Sequence, residues 1–178
     1  MEEYIQRGYL QVYTGNGKGK TTATLGQALR AAGSGLKTYI VMFMKDHPYG
    51  EVKMIDPLGN LVRLEQYGND AFVLAKQLPL AEDRMAAQQS LARIREVMHS
   101  GEYDIIIMDK VCVAIYFELL KTEDVVGLLR EKPDSVEIIL TGRYCPPVLI
   151  EMADLVTEML EVKHYYPKGV SARKGIES

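Results

Sequence analysis

The residues best suited to chemistry stand close to the start of the chain: Gly15, Asn16, Gly17, Lys18, Gly19, Lys20, Thr21 and Thr22, reading GNGKGKTT. Glycines there allow positive φ and bring the backbone close to a ligand. Successive amide groups ahead of a helix then make a nest for phosphate oxygens. Lys20 is placed to reach a phosphate as a point charge, and Thr21 to offer its hydroxyl to Mg²⁺. The spacing departs from the usual phosphate loop, in which four residues separate the first Gly from the Gly-Lys pair. Gly15 and Gly19 enclose only three, so the strict first position falls on Thr14. The competing reading is a tight strand-to-helix turn with incidental lysines; the strand–loop–helix setting favours phosphate binding.

Such a loop works with an acid at the end of a buried strand. Asp109, closing DIIIMD, fits as a ligand to Mg²⁺ or to its water, so Thr21 and Asp109 are the expected metal residues. Hydrolytic relatives of such loops place a water-activating Glu next, and here the residue is Lys110. An ammonium cannot act as that base, which disfavours simple ATP hydrolysis. His47, His99 and His164 are scattered outside any metal-binding spacing, and no GxSxG elbow occurs. Cys112 and Cys145 read as small core residues rather than nucleophiles. The chemistry must therefore come from the bound molecules.

These residues need a scaffold that carries both the loop and the acid. Short apolar runs alternate with segments of helical period: strands over Gly8–Thr14, Lys37–Met44, Leu61–Tyr67, Asp104–Asp109, Val136–Thr141 and Leu155–Val162. Between them, helices are expected over Lys20–Ala32, with Leu25, Ala28, Leu29 and Ala32 facing inward, and over Leu80–His99, with Ala87, Leu91, Ile94 and Met98 inward. Thr122 is the expected N-cap of a helix reaching about Glu131, and a short helix covers Pro147–Ala153. Alternation of this kind implies right-handed crossovers and a parallel sheet covered on both faces. The expected fold is α/β, a three-layer P-loop (RecA-like) arrangement. Its sheet is mostly parallel with about six strands, in a single nucleotide-binding domain over residues 1–178. Residues 163–178 are expected to form an irregular tail over the site.

The chain has 178 residues, with 21 Lys and Arg against 24 Asp and Glu, a formal charge of −3 that argues against nucleic-acid binding by bulk charge. Two widely separated cysteines exclude a disulfide scaffold and suit a reducing compartment. No run is apolar enough to span a bilayer, and MEEYIQRGYL lacks a secretory pattern. A cytoplasmic protein without membrane partners is the expectation.

The segment GNGKGKTTATLGQALRAAG, the strand end MFMK with Gly50-Glu51 after it, DIIIMD, the TGR of Thr141–Arg143 and the closing ADLVTEMLEVKHYYPKGVSARKGIE together resemble the ATP:corrinoid adenosyltransferases of the CobA/BtuR type. The resemblance runs from about Gly8 to the C-terminus. It implies transfer of the 5′-deoxyadenosyl group of ATP to the cobalt(I) of a reduced corrinoid, with tripolyphosphate released. It further implies ATP lying reversed on the loop, with Mg²⁺, and a homodimer; a flavin-type electron-donor protein is an expected partner. The substrate cobalt is itself the nucleophile, so no catalytic base is called for. Gly15 to Thr22 would hold triphosphate, with Arg143, Lys163, His164 and Arg173 lining the site; the tail from Lys163 carries four Lys/Arg against one Glu. Two features depart from the family pattern: Lys110 stands where the family has Glu, and about seven residues precede the first strand where relatives often carry an extra segment that helps cover the corrinoid. The corrinoid surface near Tyr67–Leu74 also keeps Gly68 and Phe72 but no Trp, and an aromatic at such a loop is a core or turn residue about as often as a cofactor contact. The Lys110 exchange keeps a rival reading open, a nucleotide- or corrinoid-binding protein with impaired turnover. A generic P-loop NTPase is the other.

Overall fold

The computed structural model describes residues 7–45, 50–74 and 78–177. In chain order these form β1 (Leu10–Thr14), α1 (Lys20–Gly33), β2 (Thr38–Phe43), α2 (Gly50–Ile55), a 3₁₀ segment (Asp56–Leu61), β3 (Val62–Tyr67), α3 (Ala71–Leu74) and α4 (Ala81–His99). There follow β4 (Ile105–Asp109), α5 (Val111–Tyr116), α6 (Thr122–Arg130), β5 (Glu137–Thr141), α7 (Pro147–Met152), β6 (Leu155–Glu158) and a 3₁₀ turn (Tyr166–Lys168). The strands form one six-stranded sheet in the order β3-β2-β4-β5-β1-β6. Every neighbouring pair is parallel.

The two-residue period of the strands divides the core between two faces. Ile40, Met42, Ile105, Ile107 and Ile139 pack against Ala28, Ala31 and Ala32 of α1. Val41, Phe43, Ile106, Met108, Ile138 and Leu140 meet Leu91, Ile94 and Met98 of α4 and Val125 and Leu128 of α6. Both faces of β4 are thus dry, which is why its sequence is a continuous apolar run. Burying one such isoleucine stabilises the fold by about 1.5–3 kcal/mol. Asp109 continues the Ile105–Ile107 alternation, so its carboxylate emerges on the side of α1.

Three expectations are corrected. Leu29 is 60% exposed, because α1 lies on the sheet through its small residues and Ala31 takes the inward position. Lys121, with extended backbone, occupies the N-cap of α6, and Thr122 is the first helical residue. The last strand stops at Glu158 instead of Val162, because the chain leaves the sheet there: the Gly17 N–H donates to the Met159 carbonyl at 2.7 Å. Phe72, which the sequence leaves open between the core and a cofactor contact, is a core residue, packed edge-on against Phe117 with ring centroids 5.7 Å apart. His47 lies outside the described residues.

Candidate functional site

The strand order decides the site. β5 lies between β1 and β4, so the tip of β5 holds the phosphate loop and the strand-end acid together. Thr14 Oγ1 donates to the Gly142 carbonyl at 2.8 Å, while Thr141 Oγ1 donates to Asp109 Oδ1 at 2.8 Å. The loop itself leaves β1 through Gly15 at φ 91° and enters α1 through Gly19 at φ 124°, two turns that favour glycine. The Lys20 ammonium folds back over the loop, donating to the carbonyls of Gly15 and Gly17 at 2.6 Å each. Burial, and then the nearby charge of Arg143, push its pKa below that of a free lysine.

Asp109 is the hub. It is fully buried, so its charge demands partners. The Thr21 hydroxyl approaches Oδ1 at 2.9 Å and Oδ2 at 3.1 Å, and Thr141 supplies the third contact. The Lys45 ammonium stands 3.8 Å from Oδ2 and 3.2 Å from Glu51 Oε1, on a side chain only 7% exposed. Among the described residues no group of three or more His, Cys, Asp or Glu side chains could hold a metal ion. The pairing of one hydroxyl with one carboxylate nevertheless suits Mg²⁺, which usually takes its other ligands from water and substrate phosphates.

Lys110 makes the corner between β4 and α5 in a single residue, at φ 66° and ψ 12°. This left-handed conformation is uncommon for a residue with a side chain. Its neighbours hold it there: the Lys110 N–H donates to Thr141 Oγ1 at 2.8 Å, and its carbonyl accepts from Val113 and Ala114 at 3.0 Å each. The ammonium reaches Asp70 Oδ2 at 4.0 Å. Burial first, and then repulsion from Lys45, lower its pKa.

Lys20, Thr21, Lys110 and Thr141 open into a cleft of about 670 Å³, the size range of ligand pockets, while the buried Asp109 is not on its wall. Gly17, Lys18, Gly19, Lys20, Thr21, Thr22, Arg143 and His164 are on its wall; Gly15, Asn16, Lys163 and Arg173 are not. Gly15 forms the loop's base. Arg173 is turned to Glu177 at 3.0 Å, and Lys163 is solvent-exposed. The tail does reach the loop, because Lys18 Nζ donates to the Ile176 carbonyl at 2.9 Å, and Ile176 and Glu177 join the cleft wall. His164 Nδ1 accepts from the Tyr166 N–H at 3.0 Å, which leaves Nε2 as the imidazole's other hydrogen-bonding atom.

Sequence reasoning missed Lys45 and Thr141 as partners of the site acid, Glu51 as the partner of Lys45, and Asp70 as the partner of Lys110. It also missed the wall residues Tyr116 and Tyr144. Only the Lys that ends MFMK and the Thr that opens TGR gave a signal, each as a polar residue closing a buried strand. Cys112 is buried and Cys145 half-buried, and both thiols are free. They lie within hydrogen-bonding reach of each other, which raises the pKa of Cys112 and lowers that of Cys145.

Comparison with known proteins bears directly on this geometry. The chain is 34% identical over 173 residues to the corrinoid adenosyltransferase of Escherichia coli (strain K12), covering 97% of this chain and 86% of that one. It is 33% identical to the corrinoid adenosyltransferase CobA of Salmonella typhimurium over the same shares. Among solved structures, the flagellar accessory protein FlaH from Methanocaldococcus jannaschii shares the fold. It has a TM-score of 0.59 and 14% identity, covering 86% of this chain and 72% of that one. The family model described as ATP:corrinoid adenosyltransferase BtuR/CobO/CobP matches residues 6–178, and the chain belongs to that family.

Proposed function

We propose that the protein transfers the 5′-deoxyadenosyl group of ATP to the cobalt(I) of a reduced corrinoid and releases tripolyphosphate. The observation that carries this reading is the family match over residues 6–178 together with a phosphate loop whose Thr21 closes on the buried Asp109. The cobalt lone pair forms the new bond to the ribose 5′ carbon. The bond from that carbon to the phosphate oxygen breaks, and its electron pair leaves with tripolyphosphate. No proton needs to be taken up by the protein in that step.

The chain's own contribution is orientation and charge. The amides of the loop and of the first turn of α1 would hold phosphate oxygens. Lys20 would exchange its two loop carbonyls for the triphosphate, and Arg143 and Lys18 would add positive charge at the wall. Thr21 and Asp109 are the residues that would hold Mg²⁺, which when bound supplies further neutralisation of the leaving group.

Residues 1–178 are read as one nucleotide-binding domain acting in the cytoplasm, which the two free thiols support. Among the described residues no helix is long and apolar enough to cross a membrane. A homodimer is supported by the exposed Leu155 and Val156 on the edge strand β6. A flavin-type electron donor would supply the reduced corrinoid.

The test is an anaerobic reaction of the purified protein with ATP, Mg²⁺ and chemically reduced cob(I)alamin. Equal amounts of a light-sensitive cobalt–carbon product and tripolyphosphate are expected. ADP and orthophosphate in their place would overturn the proposal in favour of an NTPase. Binding of both substrates without product would assign the protein to binding alone, a reading favoured by Lys110.

A further inference from the structure

Part of the wall of the cleft that holds the charged loop is aromatic. Tyr116, the last residue of α5, and Tyr144, in the turn between β5 and α7, stack with ring centroids 4.1 Å apart and planes inclined by 25°. Phe117 meets Tyr116 edge-on at 5.2 Å, and Phe72 meets Phe117 in the same way at 5.7 Å. The row is rooted in the core at Phe72 and ends in two rings that are each 54% exposed. Tyr116, Phe117 and Tyr144 share the cleft wall with Lys20, Thr21 and Arg143.

The backbone at this point is specialised. Tyr144 has φ 58°, a conformation that costs free energy for any residue with a bulky side chain. The turn is pinned by Gly142, where an added Cβ would stand 2.7 Å from Cβ of Cys112. One short loop thus delivers Arg143, whose charge is felt by Lys20, and Tyr144, which stacks on Tyr116, to a single cleft. A cation and an exposed flat apolar face in one cleft match the phosphates and the base of a nucleoside triphosphate.

We propose that the Tyr144–Tyr116 pair is the shelf on which the adenine base of ATP stacks, and that it gives the site its preference for a nucleotide over bare triphosphate. The inference rests on the adenosyltransferase reading for its choice of ligand. Every base offers a π-face to such a shelf, and stacking on an aromatic residue changes affinity by roughly 5- to 150-fold on alanine substitution.

The experiment is calorimetric titration of the parent, Tyr144→Ala, Tyr116→Ala and Tyr144→Phe proteins. The probes are MgATP, inorganic tripolyphosphate and hydroxocobalamin. Both alanine variants are expected to bind ATP about tenfold more weakly, with tripolyphosphate and corrinoid affinity unchanged, and Tyr144→Phe to retain parental affinity. Tyr116→Ala provides the test if the strained position 144 does not tolerate alanine. Equal losses for ATP and tripolyphosphate would reduce the pair to a structural support and overturn the shelf. A loss confined to hydroxocobalamin would also overturn it, by assigning the rings to the corrinoid. Unchanged ATP affinity in both alanine variants overturns the shelf alone, whereas a parent protein that binds no ATP overturns the adenosyltransferase reading with it.

Discussion

The Thr21 hydroxyl lies within hydrogen-bonding distance of both carboxylate oxygens of Asp109, at 2.9 and 3.1 Å. In this arrangement the two groups that would hold Mg²⁺ already face each other, and Asp109, fully buried, cannot turn to bulk solvent for a replacement partner. Thr21→Ala is therefore expected to cost about 1.5–3 kcal/mol of stability, the range for a hydrogen bond to a charged group. It should also raise the Mg²⁺ concentration needed for half-maximal adenosylation, while Thr21→Ser keeps both properties near parental. Denaturant melts and Mg²⁺ titrations decide this. Parental values for Thr21→Ala in both would show that the hydroxyl serves neither purpose.

Lys20 offers a second measurement. A triphosphate beside its ammonium would favour the charged form and raise the pKa that burial and Arg143 have lowered. ATP binding should thus take up protons when the pH is near or above the lowered pKa, read as a dependence of binding enthalpy on buffer ionisation. Lys20→Ala should abolish that dependence and weaken ATP binding by about 1.5–3 kcal/mol. A buffer-independent enthalpy in the parent at alkaline pH would mean that Lys20 does not meet the phosphates.

Lys110→Glu tests the departure from the family pattern. A protonated lysine has no acceptor for a metal, while a carboxylate does. The exchange should lower the Mg²⁺ concentration required and, if metal placement limits turnover, raise the rate. The ion pair that the Lys110 ammonium makes among the described residues is with Asp70, 4.0 Å away. Superimposable Mg²⁺ curves for the two proteins would remove Lys110 from the metal site.

The same residue links stability to pH. Its folded pKa lies below the ordinary 10.5, so the unfolded chain binds more protons between the two values. Parental stability should accordingly rise with pH across that window. Lys110→Met lacks the buried charge, and its stability advantage should be greatest below the window and shrink towards pH 10.5. Paired melts at several pH values measure the gap, and a constant gap would contradict the assigned cause.

Much of the frame was legible because it follows from local pattern. The continuous apolar run before Asp109 announces a strand dry on both faces, and the helix–strand alternation announces a parallel sheet. The helix α5 was not legible: its sequence VCVAIY is rich in β-branched residues and reads as extended. What turns it into a helix is the left-handed corner at Lys110, held from a distant strand by Thr141. Lys45 showed as a polar residue closing a strand, but its partner was hidden for a similar reason. A lysine closing a strand looks solvated until the sheet order places Asp109 beside it. Tyr116 and Tyr144 meet only because β4 and β5 are neighbours, a relationship that no local period encodes.

The chain that leaves β6 gives the loop's glycines a second employer. A Cβ at Gly15 would stand 2.4 Å from the Met159 carbonyl oxygen, and one at Gly17 would stand 2.7 Å from that of Leu160. Both contacts are with backbone, which cannot swing aside as a flexible side chain would. A descendant of this protein that abandoned nucleotides altogether would still be obliged to keep glycine at both places, or reroute its C-terminal segment. The survival of those two glycines is evidence of the segment's path, and it is Lys20 and Thr21 whose loss would mark the end of the chemistry.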